Sequence, residues 1–517
     1  MNIFKLKIAS MMLVLYLIMS GCGKFAFPNS KVENMADKTD EEIEEHDTII
    51  VGGGITGLTS GYYLKEQDFI LLEQSNTVGG RTVSEVHKDF SYAKGTEYLG
   101  TPESTLAQMI DELGLEPKEI PSPMDAYFDG KEFYYGHDGV ERYLINNSSF
   151  DDYKKFTKLI ADEYQNYDEL PELDYNKRMK QLDHITASKW LKDNDIPEVY
   201  SKKYNVTAKG LFGATIDEIS ALNLIPEVAF DYDETDEELT EEAFAARNTE
   251  EAIRQEYENA KKEESGSYSF TKGLTELTNK LGDVLGDKVR TSSTVTNISK
   301  DGKEYVITYA QNDGKEKKVR GKNVILAVPA PEALRIAADV ISKEKKDIMK
   351  NIEYASYATV ALFSDEPIFN KAFDLAVPDG YYFTDVYDAT WVERAYDETK
   401  ENADGYIMSV YVAPESSSNH ELDTISDQEL LENIYRDLDK IFESASSKIT
   451  GHDIKKFTYG YPVMNPGAYE RLLKLHELNE GSLILAGDYM VYPTFEAAVQ
   501  SGYLASEKIN EQGYGKK

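Results

Sequence analysis

Gly52, Gly54 and Gly57 stand at the GxGxxG spacing, and Glu73 follows about 20 residues further on. The first glycine permits a tight turn, the second lets a pyrophosphate approach the backbone, and the third lets a helix pack closely on a strand. Ile55 and Thr56 lie between the last two, where the start of a helix offers unpaired N–H groups to phosphate charge. An acid at Glu73 accepts hydrogen bonds from ribose hydroxyls. The chemistry implied is the grip on a dinucleotide. The elements needed to hold it are present in order. Asp47-Thr48-Ile49-Ile50-Val51 predicts a buried strand, Leu58 to Lys65 a helix, and Phe69-Ile70-Leu71-Leu72 a second strand ending at Glu73.

Val78-Gly79-Gly80-Arg81-Thr82 comes next. Its glycines allow close backbone approach, and Arg81 can offset pyrophosphate charge. Far downstream, Ser482 to Ala486 predicts another strand running into Gly487-Asp488, and Thr494 is placed to cap a helix through Ala497. With these segments the chain resembles the flavin-containing amine oxidoreductase superfamily, which includes monoamine and polyamine oxidases, protoporphyrinogen oxidases and phytoene-desaturase-like enzymes. The resemblance implies non-covalent FAD, since the chain's one cysteine, Cys22, lies far from these segments. It also implies that the Gly79-Gly80-Arg81-Thr82 segment touches the pyrophosphate and that the Val295 backbone meets adenine. Asp488 then bonds the ribityl-phosphate region, and the helix carrying Ala497 points at the flavin N1–C2 edge. There a helix N-terminus favours the negative charge of the reduced ring.

The same resemblance implies hydride removal from a small-molecule substrate, with amine C–N oxidation by oxygen and release of hydrogen peroxide as the first reading. Porphyrinogen oxidation or carbon–carbon desaturation is the second, because Phe457 to Arg471 keeps the spacing of protoporphyrinogen oxidases. A flavin-fold lipoprotein that binds without turnover is the third. Tyr461, Tyr469 and Tyr489 are the pocket-lining candidates. Arg335 is the nearest equivalent of the lysine that amine oxidases place after a Val-Pro landmark, here Val328-Pro329. It would either line the pocket or pair with a carboxylate on a helix surface. Glu97, in the segment that resembles the flavin-ring crossing, suits a cationic substrate or a surface ion pair.

The expected fold class is α/β, a discontinuous Rossmann-type FAD-binding domain with an interleaved α+β substrate domain. The FAD-binding domain is assigned to 47–100, 268–336 and 451–517, and the substrate domain to 101–267 and 337–450. Asp231 to Glu264, dense in carboxylates, predicts an exposed helix or loop.

Composition narrows the partners. Lys and Arg number 56 against 93 Asp and Glu, a net charge of -37, which disfavours nucleic acid. One cysteine and 7 scattered histidines give no metal-binding pattern. Residues 1–22 carry Lys5 and Lys7, an apolar run from Ile8 to Met19, and Met19-Ser20-Gly21-Cys22. That order predicts an export signal, and its end resembles a bacterial lipobox, with Cys22 acylated and the body held at a membrane on the exported side. Residues 23–46 read as an acidic tether.

Overall fold

The computed structural model describes residues 43–514, apart from 166, 233–238 and 313. Cys22, the leader and most of the expected tether lie outside the described residues.

Strand Glu44–Val51 runs parallel to Phe69–Leu72 on one side and to Glu316–Leu326 on the other. Leu483–Leu485 adds in parallel to Glu316–Leu326. The sheet is completed by Val289–Arg290 at one edge and the antiparallel strands Glu304–Gln311 and Ser293–Asp301 at the other. Ile49, Ile50, Leu71, Ile325 and Ile484 are almost wholly shielded from solvent, as expected of parallel strands covered on both faces. The register has one consequence for function. Val51 pairs with Leu72 and with Leu326, and Leu326 pairs with Leu485. Four strands therefore end in one row, so the turns that follow them open at the same edge of the sheet.

The first strand starts at Glu44 and not at Asp47. Glu44 is paired with Arg290, and His46 with Asp68, while Glu44 to His46 find backbone partners from Val319 to Gly321. These ion pairs and ladder bonds extend the strand into the expected tether.

A second sheet has the order Ile449–Pro462, Tyr354–Ser364, Tyr406–Val412, Asp385–Asp388, Asp374–Ala376, Asp125–Phe128, Phe133–Tyr135. Every neighbouring pair is antiparallel except Asp374–Ala376 with Asp125–Phe128. Ile449–Pro462 forms a long ladder with Tyr354–Ser364, so residues up to Pro462 belong to this sheet and not, as expected, to the segment from 451 that completes the FAD-binding part. One face is apolar: Ala126, Phe128, Ala358, Val360, Leu375, Val386, Val410 and Val412 pack under helix Asp427–Ile441 through Leu430, Ile434 and Leu438. The other face is polar and is described below.

Helices Phe150–Tyr164, Glu198–Phe212 and Ala221–Phe230 pack around Phe156, Tyr200 and Tyr204. Within the acidic stretch, Glu241–Arg247 and Glu250–Ala260 are helical; the first buries no residue and keeps its carboxylates in water.

Candidate cofactor and substrate site

Gly52 turns the chain out of the first strand at φ +105°, and a Cβ there would lie 2.3 Å from the Ala327 carbonyl oxygen. Gly57, in helix Ile55–Tyr63, has the Gly52 carbonyl where its Cβ would stand, 1.9 Å away. These contacts bind helix to strand as the motif requires. Gly54 differs, because a Cβ there would meet nothing nearer than the Gly80 Cα at 3.9 Å. Gly54, Gly79 and Gly80 thus face one another with bare backbone at the helix N-terminus, joined by the Gly79 N–H to Gly53 carbonyl bond of 2.8 Å. That cradle has the shape and polarity for a pyrophosphate. Thr82 closes the second turn by donating its N–H to the Gly79 carbonyl. Glu73 is buried; one carboxylate oxygen accepts from the Gly53 N–H at 2.6 Å and the other from Ser75 at 2.7 Å. Each oxygen keeps a lone pair for a ribose hydroxyl. The Ser293 N–H donates to the Glu73 carbonyl, which brings the strand carrying Val295 beside the acid.

The C-terminal turn lies at the same edge. Thr56 Oγ1 donates to the Ala498 carbonyl and Ser60 Oγ to the Gly502 carbonyl, each at 2.9 Å and across 442 residues of sequence. A Cβ on Gly502 would lie 2.3 Å from the Thr56 carbonyl, so the first helix and helix Phe495–Tyr514 touch backbone to backbone. Thr494 caps that last helix through the Ala497 N–H at 3.3 Å. Gly487 donates its N–H to Ser501 Oγ, and Arg81 reaches Asp488 at 2.8 Å while donating to the Gly460 carbonyl at 2.7 Å. Burial opposes the Arg81 charge, but the Asp488 carboxylate more than offsets it and holds the guanidinium above its ordinary value. Tyr489 is fully buried beside Asp488, and its hydroxyl has no hydrogen-bond partner among the described residues. An orphaned hydroxyl, a bare glycine cradle and a buried acid converge at one edge, and these residues fit an FAD. Gly52, Gly54, Ile55, Thr56, Gly57, Glu73, Gly79, Gly80, Arg81, Thr82, Val295, Gly487, Asp488 and Ala497 surround this one region.

The polar face of the second sheet turns towards it. Alternation puts Asp125 and Tyr127, Asp374, Asp385 and Tyr387, Tyr411, Tyr357 and Thr359 on the face opposite the apolar one. Tyr461, opposite Ala355, shares it. Tyr357 and Tyr461 meet edge-on with centroids 5.1 Å apart, as do Tyr387 and Tyr411 at 4.7 Å. Tyr411 Oη lies 2.8 Å from the Gly95 carbonyl and 2.7 Å from Glu97 Oε2. Burial pushes the Glu97 carboxyl up to about 7, so a protonated Glu97 can donate to Tyr411 while Tyr411 donates to Gly95. Burial also raises Asp385 to about 7 and Asp374 well above the usual carboxylate range, with Asp385 adding to the latter shift. Asp125 is reached by water yet walled by protein, and burial followed by Asp231 lifts it to about 6.

Of the four candidates expected to line a pocket, Tyr461 and Tyr489 lie at this region, and the other two lie elsewhere. Tyr469 is packed in the core on helix Ala468–Leu478, its hydroxyl 3.4 Å from the Leu222 carbonyl. Arg335 lies half-exposed on helix Ala330–Ala337, 2.7 Å from Glu332, one turn away; that ion pair keeps it at the surface. The residue paired with Tyr411 on the site face is Thr359. Lys94, on the segment that leads to Glu97, holds Asp453 at 2.6 Å. Asp125, Asp374, Asp385, Tyr357 and Tyr411 were missed. For Asp125 and Tyr411 the signal was the strict alternation in Asp125-Ala126-Tyr127-Phe128 and Ser409-Val410-Tyr411-Val412.

Comparison with known proteins agrees with this geometry. Residues 55–510 match the model of the family described as flavin containing amine oxidoreductase. The coproporphyrinogen III oxidase of Staphylococcus aureus is 25% identical over 428 residues, covering 76% of this chain and 83% of its own. The probable flavin-containing monoamine oxidase A of Dictyostelium discoideum is 26% identical over 156 residues, 29% of this chain, and the match spans only 33% of that relative. Among solved structures, a putrescine oxidase bound to putrescine superimposes with a TM-score of 0.68 at 16% identity, over 90% of this chain and 99% of that one.

Two outcomes follow from the site. Gly502→Ala forces the first and last helices apart, so it lowers the melting temperature and weakens FAD retention through gel filtration. Glu97 ionises near 4.5 when unfolded and near 7 when folded. Both states are neutral below the lower value, stability falls as pH rises between the two, and the penalty is constant above the higher. Glu97→Gln removes it, so the variant matches the wild type near pH 4 and gains up to about 3 kcal/mol in urea unfolding at pH 8.

Proposed function

Because the chain belongs to the flavin-containing amine oxidoreductase family, we propose that it oxidises the carbon beside the nitrogen of a small amine, with oxygen as final acceptor and hydrogen peroxide released. The observation that carries this reading is the tyrosine- and aspartate-lined sheet face turned towards the glycine cradle. Bound FAD supplies the acceptor for a hydride. The chain's own residues do the rest. The carboxylates of that face attract a cationic substrate, in keeping with the net charge of -37. Tyr357, Tyr411 and Tyr461 provide aromatic walls that orient it and exclude water. Gly54, Gly79, Gly80 and Arg81 would hold the pyrophosphate, Glu73 the ribose, and Asp488 the ribityl side.

The coverage of the S. aureus relative favours porphyrinogen oxidation as a second reading. A porphyrinogen bearing carboxylate side chains would bring negative charge to Asp125, Asp374 and Asp385, which argues for the amine. Anaerobic titration of FAD-loaded protein separates the two: primary or secondary amines bleach the flavin absorption and coproporphyrinogen does not. Bleaching by the porphyrinogen alone overturns the proposal.

The lipobox-like Met19-Ser20-Gly21-Cys22 supports a place on the exported side of a membrane, held by a lipid on Cys22. In cell fractionation, Cys22→Ser moves the protein from the membrane to the soluble exported fraction.

A further inference from the structure

Leu483–Leu485 is the shortest of the four strands that end at the cofactor edge, and it has a strand on one side only among the described residues. Glu316–Leu326 meets it through the flanking residues: the Val324 N–H donates to the Ser482 carbonyl at 2.8 Å, and the Ala486 N–H donates to the Leu326 carbonyl at 3.0 Å. Leu483 and Leu485 turn their backbone groups the other way. So short a ladder specifies its register weakly, yet the Gly487-Asp488 turn depends on that register.

Side chains stand where a further strand would pair. Asn479, just past helix Ala468–Leu478 and 2% exposed, imitates a backbone unit. Its Nδ2 donates to the Leu485 carbonyl at 2.8 Å, and its Oδ1 accepts from the Leu485 N–H at 2.9 Å. Lys345, buried on helix Lys343–Met349, brings its ammonium 3.4 Å from the Leu483 carbonyl. One turn before Asn479, His476 donates from Nε2 to the Met490 carbonyl, at the end of the short turn Asp488–Met490. Burial lowers the imidazole below its usual pKa against the opposing effect of that bond, and nearby Lys508 lowers it further. The ring is therefore neutral, and the carbonyl fixes its proton on Nε2. Lys508, on the last helix, donates to the Asn479 carbonyl at 2.9 Å. Asn479 and His476 thus tie together the edge strand, the turn bearing Asp488 and the helix that follows it.

We propose that Asn479 and His476 are positioning residues for the flavin: they fix the register of Leu483–Leu485 and the place of the Asp488 turn, and through them the balance between oxidised and reduced cofactor. The reduced ring gathers negative charge, which the N-terminus of the last helix favours. Misplacing the turn that leads into that helix penalises the reduced form more than the oxidised one. The inference rests on FAD binding and is independent of the substrate.

Two measurements on the full chain test it: FAD titration of the apoprotein by flavin fluorescence, and the midpoint potential of the loaded protein against reference dyes. Asn479→Leu and His476→Leu keep the side-chain bulk and remove the bonds. Each weakens oxidised FAD about tenfold and reduced FAD about a hundredfold, so the potential falls by about 30 mV. His476→Gln places an amide Nε2–H where the imidazole Nε2–H stands, and it restores both values. Leu475→Ala, a core change on the same helix, lowers the melting temperature and leaves the potential in place. If Asn479→Leu fails to fold, the comparison of His476→Leu with His476→Gln decides. A wild-type potential in His476→Leu, no rescue by His476→Gln, or an equal fall in Leu475→Ala overturns the proposal.

Discussion

The parallel register of four strands is the constraint on which the molecule depends. Val51, Leu72, Leu326 and Leu485 end in one row, although more than four hundred residues separate the first from the last. Hydrogen bonds between strands fix that row, and the chain must then turn at Gly52, Glu73, Ala327 and Ala486 along a single edge. The Arg81–Asp488 pair and the helix contact at Gly502 hold because the turns already converge. A slip of one residue in Leu483–Leu485 would turn its side chains to the opposite face and carry Asp488 away from Arg81.

Much of this was legible in the amino-acid order. The glycine spacing, the acid at Glu73 and the strand leading to Gly487-Asp488 are local signals, since each motif is contiguous and its backbone demands are specific to glycine or to a capping threonine. The convergence of the two ends followed only from the family resemblance. What was not legible depended on pairing between distant strands. The membership of Ile449–Pro462 in the second sheet is set by its ladder with Tyr354–Ser364, which no local pattern announces. Glu44 to His46 read as polar tether, because the ion pairs that draw them into the sheet lie with Arg290 and Asp68. Of the two places open to Arg335, the structure shows the helix surface, where it pairs with Glu332 one turn away.

The two halves of the site obey different physics. The cofactor half is made of backbone, with glycines admitting phosphate and N–H groups facing it. The substrate half is made of side chains whose charge is held back by burial, from Glu97 through Asp374 to Asp385. A cleft whose acids are partly neutral when empty avoids the self-repulsion of several close anions, yet can ionise them against an arriving cation. Folding and recognition draw on the same protons.

The second sheet carries its cohesive residues and its charged residues on opposite sides of the same strands. Every odd step along Asp125–Phe128 or Ser409–Val412 lies on the polar face, and every even step faces helix Asp427–Ile441. Replacement on one side therefore leaves the packing of the other nearly untouched. Such a ribbon lets a lineage explore new small-molecule diets by exchanging aspartate, serine and tyrosine while the cohesive side beneath helix Asp427–Ile441 stays in place.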